Sequence, residues 1–321
     1  MKIISCVALS LAVFISVLSV IGSVASSHWI GELAAQPRPQ YIICLALCAV
    51  PIVIRFPRTG WCVLLPILFN AYYVAPLYVR PASSDGNATA TFSVLHANVD
   101  RFNADPHAAF AWLRKQNATI VAMQEVTPEF EKEFDGALAD YEVVLSHALT
   151  NSHGSAVLVK RDAPLQKVSA QIIHLPKDSE RPLIEYVFRV RDREIALLSL
   201  FVSRPIWQRH FAYQSLELRE TARWAKEHQA AGREVIVVGD LNITPWSPRF
   251  AALCADGKLI NSQAGFGLQS SWPTALPSIA GIPIDHCLHS AGIATVSRSI
   301  GSRIGSDHRP LLLHLKVTLR S

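Results

Sequence analysis

The last apolar strand of this chain, Leu311-Leu312-Leu313-His314-Leu315, is preceded by Ser306-Asp307-His308-Arg309-Pro310. An acid beside an imidazole, where a loop enters a buried strand, is a place to hold a general base or a metal ligand. Four other polar stretches stand at the tips of apolar runs in the same way. They are His96-Ala97-Asn98-Val99-Asp100, Met123-Gln124-Glu125-Val126, Gly239-Asp240-Leu241-Asn242 and Ile284-Asp285-His286. Glu125 comes just after an apolar run, and a carboxylate there is costly to bury alone. A hard divalent cation would compensate it, and oxygen ligands suit Mg²⁺, with Mn²⁺ as the alternative. An exposed strand-end acid is the plainer reading of Glu125 taken singly. Asp240 and Asn242, two apart, share one face if both lie on a strand. The Asp would then accept a proton or position a water, and the Asn would donate to a phosphate oxygen. Gly239, Pro245 and Pro248 make a turn the competing reading there. Adjacent side chains diverge on a strand, so the acid orienting His308 is expected from elsewhere, and Asp285 is available. Asp100 is either a group behind the metal ligands or a turn acid. Asn98 and Gln124 mean little alone.

The elements that must position these groups alternate between strands and helices. Thr91–Ala97 and Thr119–Met123 are expected strands, the second apolar throughout and buried on both faces. Between them Asp105-Pro106 opens a helix to Gln116, with Asp as N-cap and Pro in the first turn. Thr127-Pro128 opens another. Strands follow at 141–145, 155–159, 165–173, 183–190 and 194–202. A long helix is expected over 207–230 and a buried strand over 234–238. A helix capped by Ser247-Pro248 ends at Gly257, and late strands cover 284–289, 294–298 and 310–317. Consecutive hairpin-like strands in the middle argue against a purely parallel sheet, while helices occur near both ends of the domain. Two packed mixed sheets with helices outside them satisfy both facts: an α/β four-layer sandwich.

The chain has 321 residues, and its apolar residues are unevenly spread. Three apolar runs, 3–25, 41–54 and 61–79, precede a polar stretch at 81–88. A bilayer span needs about 20 apolar residues. The predicted organisation is a membrane anchor of about three helices at 1–80, a linker at 81–90 and a catalytic domain at 91–321. A cleaved signal peptide is the alternative for the first run. Lys2, Arg55 and Arg58 put the amino terminus and the second loop in the cytoplasm, with the domain on the outer face of an inner or plasma membrane. Arg80 argues weakly the other way. The lipid bilayer is thus one expected partner.

Of 30 Lys/Arg and 25 Asp/Glu, five and one fall in residues 1–80, which leaves the rest of the chain near neutral. That lowers the expectation of a protein that wraps nucleic acid without excluding a nuclease. Cys254 and Cys287 are the two cysteines outside the apolar amino-terminal part. They either form a disulfide, if exported, or remain free buried thiols.

The ordered set Asn98, Glu125, Asp240 with Asn242, Asp285, Asp307 with His308 resembles the endonuclease/exonuclease/phosphatase family, over roughly Thr91 to Val317. Its most specific pieces are Gln124-Glu125, Gly239-Asp240-Leu241-Asn242 and Ser306-Asp307-His308-Arg309-Pro310. An anchor before such a domain is similar to membrane-bound bacterial members. The resemblance implies Mg²⁺ at Glu125, helped by Asn98 and Asp307. It implies His308, oriented by Asp285, as base or transition-state donor, Asp240 aligning the water and Asn242 holding the phosphate. The implied reaction is hydrolysis of a phosphate ester in a nucleic acid, a lipid headgroup or an inositol phosphate.

One departure stands out. Most relatives carry a histidine, or in the DNA-repair branch a tyrosine, where this chain aligns Phe201. That group is thought to reach the phosphate or leaving oxygen, and Phe can do neither. A shifted alignment would let His210 or Tyr213 reach the site instead. A non-catalytic, phosphate-binding member is the alternative of a different class.

Overall fold

The computed structural model describes residues 2–25, 27–80 and 88–318. Most of the expected linker, 81–87, lies outside the described residues. The amino-terminal part holds helices α1 (Lys2–Val24), α2 (Trp29–Ala35), α3 (Arg38–Arg55) and α4 (Leu64–Val74), the last flanked by short 3₁₀ turns. Three segments are long and apolar enough to cross a membrane: Lys2–Val24, Arg38–Arg55 and Gly60–Tyr78. Helix α2, in the first connection, was not expected from the sequence. Its Glu32 is buried, and Arg38 is fully buried between helices, bonded to Asn70 at 3.1 Å and Ser23 at 2.8 Å. Neither is a free loop charge, so neither informs the orientation count.

The strands are β1 (Ala88–Asn98), β2 (Ile120–Gln124), β3 (Tyr141–His147), β4 (Ser155–Lys160), β5 (Gln166–Ile173) and β6 (Leu183–Val190). They continue with β7 (Arg193–Phe201), β8 (Glu234–Asp240), β9 (Ile260–Asn261), β10 (Asp285–His289), β11 (Ile293–Ile300) and β12 (Leu311–Thr318). One sheet runs β11-β12-β1-β2-β4-β3 and the other β5-β6-β7-β8-β10-β9. Each contains one parallel pair, β1–β2 and β7–β8, among antiparallel neighbours. Helices α5 (Pro106–Gln116), α6 (Pro128–Lys132) and α7 (Phe134–Ala137) cover the first sheet, and α8 (Gln208–Ala230) and α9 (Pro248–Asp256) the second. The expected four layers are therefore present. Boundaries differ from the sequence reading by up to three residues, and the two-residue β9 and the short α7 were missed.

Period-two alternation divides the core into three sheets of side chains. Val94, Ala122, Leu197, Val238, Cys287 and Leu313 fill the space between the sheets. Leu95 and Val121 turn outward to Phe110 and Leu113 of α5. Leu198 and Val237 turn outward to Leu218 and Ala222 of α8. Each such side chain contributes about 1.5–3 kcal/mol by leaving water. The caps read from sequence are in place: the side chains of Asp105, Thr127 and Ser247 accept from backbone N–H groups of α5, α6 and α9. The disulfide alternative fails, because both thiols are free. Cys287 lies between the sheets, whereas Cys254 on α9 packs against the outer face of the second.

Candidate active site

The inter-sheet core turns polar at one end, and the same alternation dictates which residues appear there. On β1, Val94 is core, and His96 and Asn98 follow on the same face. On β2, Ala122 leads to Gln124, and on β8, Val238 leads to Asp240. On β7, Leu197 leads to Ser199 and Phe201. On β10, running the other way, Cys287 is preceded by Asp285. Hydrogen bonds cross the gap between sheets here, among them His96 Nε2 with Asp285 Oδ1 at 2.6 Å and Gln124 Nε2 to Ser199 Oγ at 2.6 Å.

Asp285 is the hub. Its second oxygen meets His308 Nδ1 at 2.8 Å, so one fully buried carboxylate holds two imidazoles. This is the orienting acid expected for His308, and His96 is a partner that the sequence reading passed over. Its signal was the two-residue spacing from Asn98. The loop carrying His308 is tied to β1 by Ser306, whose Oγ–H donates to Asn98 O at 2.7 Å and accepts His308 N–H at 3.0 Å. His308 Nε2 is buried and has no hydrogen-bond partner. It lies 3.7 Å from Asp240 Oδ2 and 3.8 Å from Asp307 Oδ1.

Asp240 and Asn242 do not share a strand face. β8 ends at Asp240, and Asn242 has a left-handed φ of 51°. The turn reading is the correct one: Asn242 N–H donates to Asp240 Oδ1 at 2.9 Å, the local bond that Asp and Asn favour. Asn242 Nδ2 donates to Val202 O at 2.9 Å and to Asp240 Oδ2 at 3.2 Å. Its amide hydrogens hold Asp240 rather than facing open space. Gly239 precedes this turn because a Cβ there would sit 1.8 Å from Leu200 O.

Burial and charge set the titration. Burial pushes Asp240 up, His308 draws it partly back, and the carboxyl stands at about 7. Burial also opposes charge on Asp285, yet His308 and His96 outweigh it and hold that carboxyl well below the ordinary range. Burial lowers the His308 imidazole, but Asp285 and then Asp240 more than reverse it, up to about 10. His308 is therefore a charged donor near neutrality, and Asp240 is the group poised to lose a proton there.

Glu125 occupies the other side of this end of the fold. It is nearly buried and adopts a left-handed φ of 61°, which costs a non-glycine residue roughly 1 kcal/mol or more. Asn98 Nδ2 donates to its Oε1 at 3.1 Å, and Arg204 is 3.8 Å from that oxygen. Glu125, Asp100, Phe201, Arg204, His210 and Asp307 line one cavity of about 370 Å³, to which Arg181 also contributes. Trp272 Nε1–H holds Asp307 Oδ2 at 3.0 Å. Asp100 N–H donates to Asn98 Oδ1 at 3.0 Å, so Asp100 follows Asn98 in a local turn at φ 56°.

Phe201 faces this cavity with the Arg181 guanidinium 5.2 Å over its ring, and it pairs in register with Asp240. His210 reaches the rim of the same cavity, and Tyr213 does not line it. Arg181 and Arg204 were not singled out from the sequence, since each is one of many arginines until the fold aims it.

Among the described residues, the acid and imidazole groups whose ligand atoms lie within 4.8 Å of one another are Asp240, Asp285 and His308. Both oxygens of Asp285 and Nδ1 of His308 are already engaged, which makes that trio a proton-holding chain. The carboxylates that line the open cavity are Glu125, whose Oε2 also accepts Arg101 N–H at 3.4 Å, and Asp307, with the Asn98 amide beside them. An all-oxygen set with incomplete protein pairing fits a hard divalent cation.

A profile of the endonuclease/exonuclease/phosphatase family matches residues 90–308. The chain belongs to this family. No curated protein matches it significantly in sequence. Solved structures match its fold. A Bacteroides vulgatus endonuclease/exonuclease/phosphatase is 14% identical, covering 71% of this chain and 100% of its own, at a TM-score of 0.60. A Bacteroides thetaiotaomicron mannosyl-6-phosphatase is 15% identical over 70% and 99%, at 0.56. D. rerio TDP2, solved with a single-strand DNA product, is 14% identical over 71% and 99%, at 0.54.

Proposed function

We propose that this family member is a membrane-tethered, divalent-cation-dependent phosphoesterase acting on phosphodiester bonds. The observation that carries the reading is the buried, unpartnered Nε2 of His308 beside Asp240 and Asp307, with its Nδ1 held by Asp285. A buried donor without a partner is costly, about 1–3 kcal/mol, and is a natural place for a substrate oxygen.

Glu125, with Asn98 and Asp307, would hold Mg²⁺ or Mn²⁺. A bound cation would supply charge stabilisation at the phosphoryl oxygens. The remaining work falls to this chain's own side chains. Asp240, fixed by Asn242, orients a water and accepts its proton. His308 donates from Nε2 to a phosphoryl oxygen, which gains negative charge as the water adds. Asp285 and His96 keep His308 charged and aimed. Gln124, bonded to Ser199, fastens the end of β2 beside Glu125. Arg181 and Arg204 offer guanidinium groups to the phosphate where Phe201 offers none.

Three membrane spans, with Lys2, Arg55 and Arg58 on the cytoplasmic side, would put the domain at 91–321 on the outer face. The expected substrates are nucleic acid and lipid headgroup, and the neighbours include a DNA-bound protein and a sugar phosphatase.

Phe201 in the cavity favours the second reading, a phosphate-binding member without turnover. Release of p-nitrophenol from bis(p-nitrophenyl) phosphate by the full chain separates the two. Activity is expected with Mg²⁺ or Mn²⁺, and none in EDTA. Asp240→Asn, His308→Ala and Glu125→Ala should each lose at least about 100-fold while staying folded. Retained turnover in both Asp240→Asn and His308→Ala removes this mechanism, and silence of the natural chain favours the binding reading.

A further inference from the structure

One loop lines the cavity, a second braces Asp307 at its edge, and both are fastened to the amino-terminal helices. The first, after β7, carries Ser203, Arg204 and Ile206 into the cavity. The next residue, Trp207, packs on Trp29 of α2 with ring centroids 5.7 Å apart, and Gln208 accepts Trp29 N–H at 3.4 Å. The second loop leaves Asp307 through Trp272 Nε1 and through Thr274 N–H, which donates to Asp307 O at 2.9 Å. It ends where Gln40, at the start of α3, donates to Ile279 O at 3.1 Å and Gly281 O at 2.9 Å.

The attachment continues beside these loops. Trp246 Nε1–H donates to Ala35 O at 2.8 Å, Glu32 pairs with Arg249 at 3.3 Å, and Leu77 O accepts from Gly265 and Gly267. All these contacts lie at the end of the helix bundle where α1 finishes, α3 begins and α4 leads out. The loops also carry apolar side chains that stay largely exposed: Ile206 is 47% exposed, Trp207 61%, Leu276 44% and Ile279 62%. Apolar and Trp side chains beside the ends of membrane spans belong at the bilayer surface.

We propose that the substrate is a phosphodiester amphiphile that stays in the bilayer while its phosphate enters the cavity beside these loops. This rests on the phosphoesterase reading above and names its substrate class. The apolar rim contacts the membrane, and Arg204 and Arg181 draw the anionic phosphate inward. Water adds to phosphorus, one P–O ester bond breaks, and the leaving oxygen takes a proton. The products are an alcohol and a phosphomonoester. A long polynucleotide lacks the hydrocarbon part that this rim would meet.

The test uses the full chain reconstituted in phosphatidylcholine–phosphatidylglycerol vesicles with Mg²⁺ or Mn²⁺. Water-soluble organic phosphate and lipid products are measured, beside turnover of bis(p-nitrophenyl) phosphate and of single-stranded DNA. Vesicle phospholipid should be cleaved at least about tenfold faster than its deacylated, water-soluble headgroup diester at equal phosphate concentration. Leu276→Asp with Ile279→Asp should remove that preference and leave turnover of bis(p-nitrophenyl) phosphate unchanged. Cleavage of the soluble diester or DNA with intact vesicle lipids overturns the inference and leaves the phosphoesterase reading standing. Silence on every substrate overturns both.

Discussion

Replacing Asp285 by Asn tests the central electrostatic claim. In the structure one buried carboxylate meets His96 at 2.6 Å and His308 at 2.8 Å. It is the largest attractive influence on His308, which stands at about 10 against an ordinary 6.5. At about 1.4 kcal/mol per tenfold change, that difference favours the charged imidazole by roughly 5 kcal/mol. An amide of the same shape keeps the packing and removes the charge. Burial, the largest opposing influence, is then countered by Asp240 and Asp307 alone, so the His308 value should fall and the ring should lose its charge by about pH 8. A transition state that relies on a charged donor should lose about 10²–10⁴-fold in turnover. The assay pairs imidazole nitrogen shifts of labelled protein, titrated across the neutral range, with p-nitrophenol release. Circular dichroism confirms that the variant is folded. If His308 stays charged near pH 8 in Asp285→Asn, or turnover falls less than about threefold, the role given to Asp285 is wrong.

Other outcomes follow from the same geometry. Phe201→His puts an imidazole into the cavity that Glu125 and Asp307 share, and should raise turnover of the soluble diester; no gain, or a loss, shows that the natural site does not need a donor at that position. The pH profile of kcat/KM should climb through about 7 as Asp240 loses its proton and fall through about 10 as His308 loses its own. His308, whose value is raised on folding, contributes stability that is fully present below 6.5 and fades as pH rises through about 10. Asp240, also raised, opposes folding increasingly between 3.8 and about 7. An activity optimum on the acidic side would contradict the assignment of the two groups.

Much of the architecture is legible in the order of residues alone. Period-two apolar patterns placed the strands, because a strand with a buried face must alternate. Asp105, Thr127 and Ser247 marked helix starts, because unpaired backbone N–H groups need a cap. Apolar length marked the amino-terminal helices. The tips of those patterns named Asn98, Glu125, Asp240, Asp285 and His308. Local pattern failed where pairing across space took over. It left Asn242 open between a strand face and a turn, and a bond from its N–H to the Asp240 side chain decides for the turn. It passed over His96, whose partner lies 189 residues away on the other sheet. It gave no reason to single out Arg181, Arg204, Trp207 or Gln40. Folding in three dimensions sets which imidazole shares Asp285, which carboxylates line the open cavity, and how the loops beside it meet the helices that precede them. Those are matters of distance between residues far apart in the chain, and the free energy of a buried charge depends on that distance.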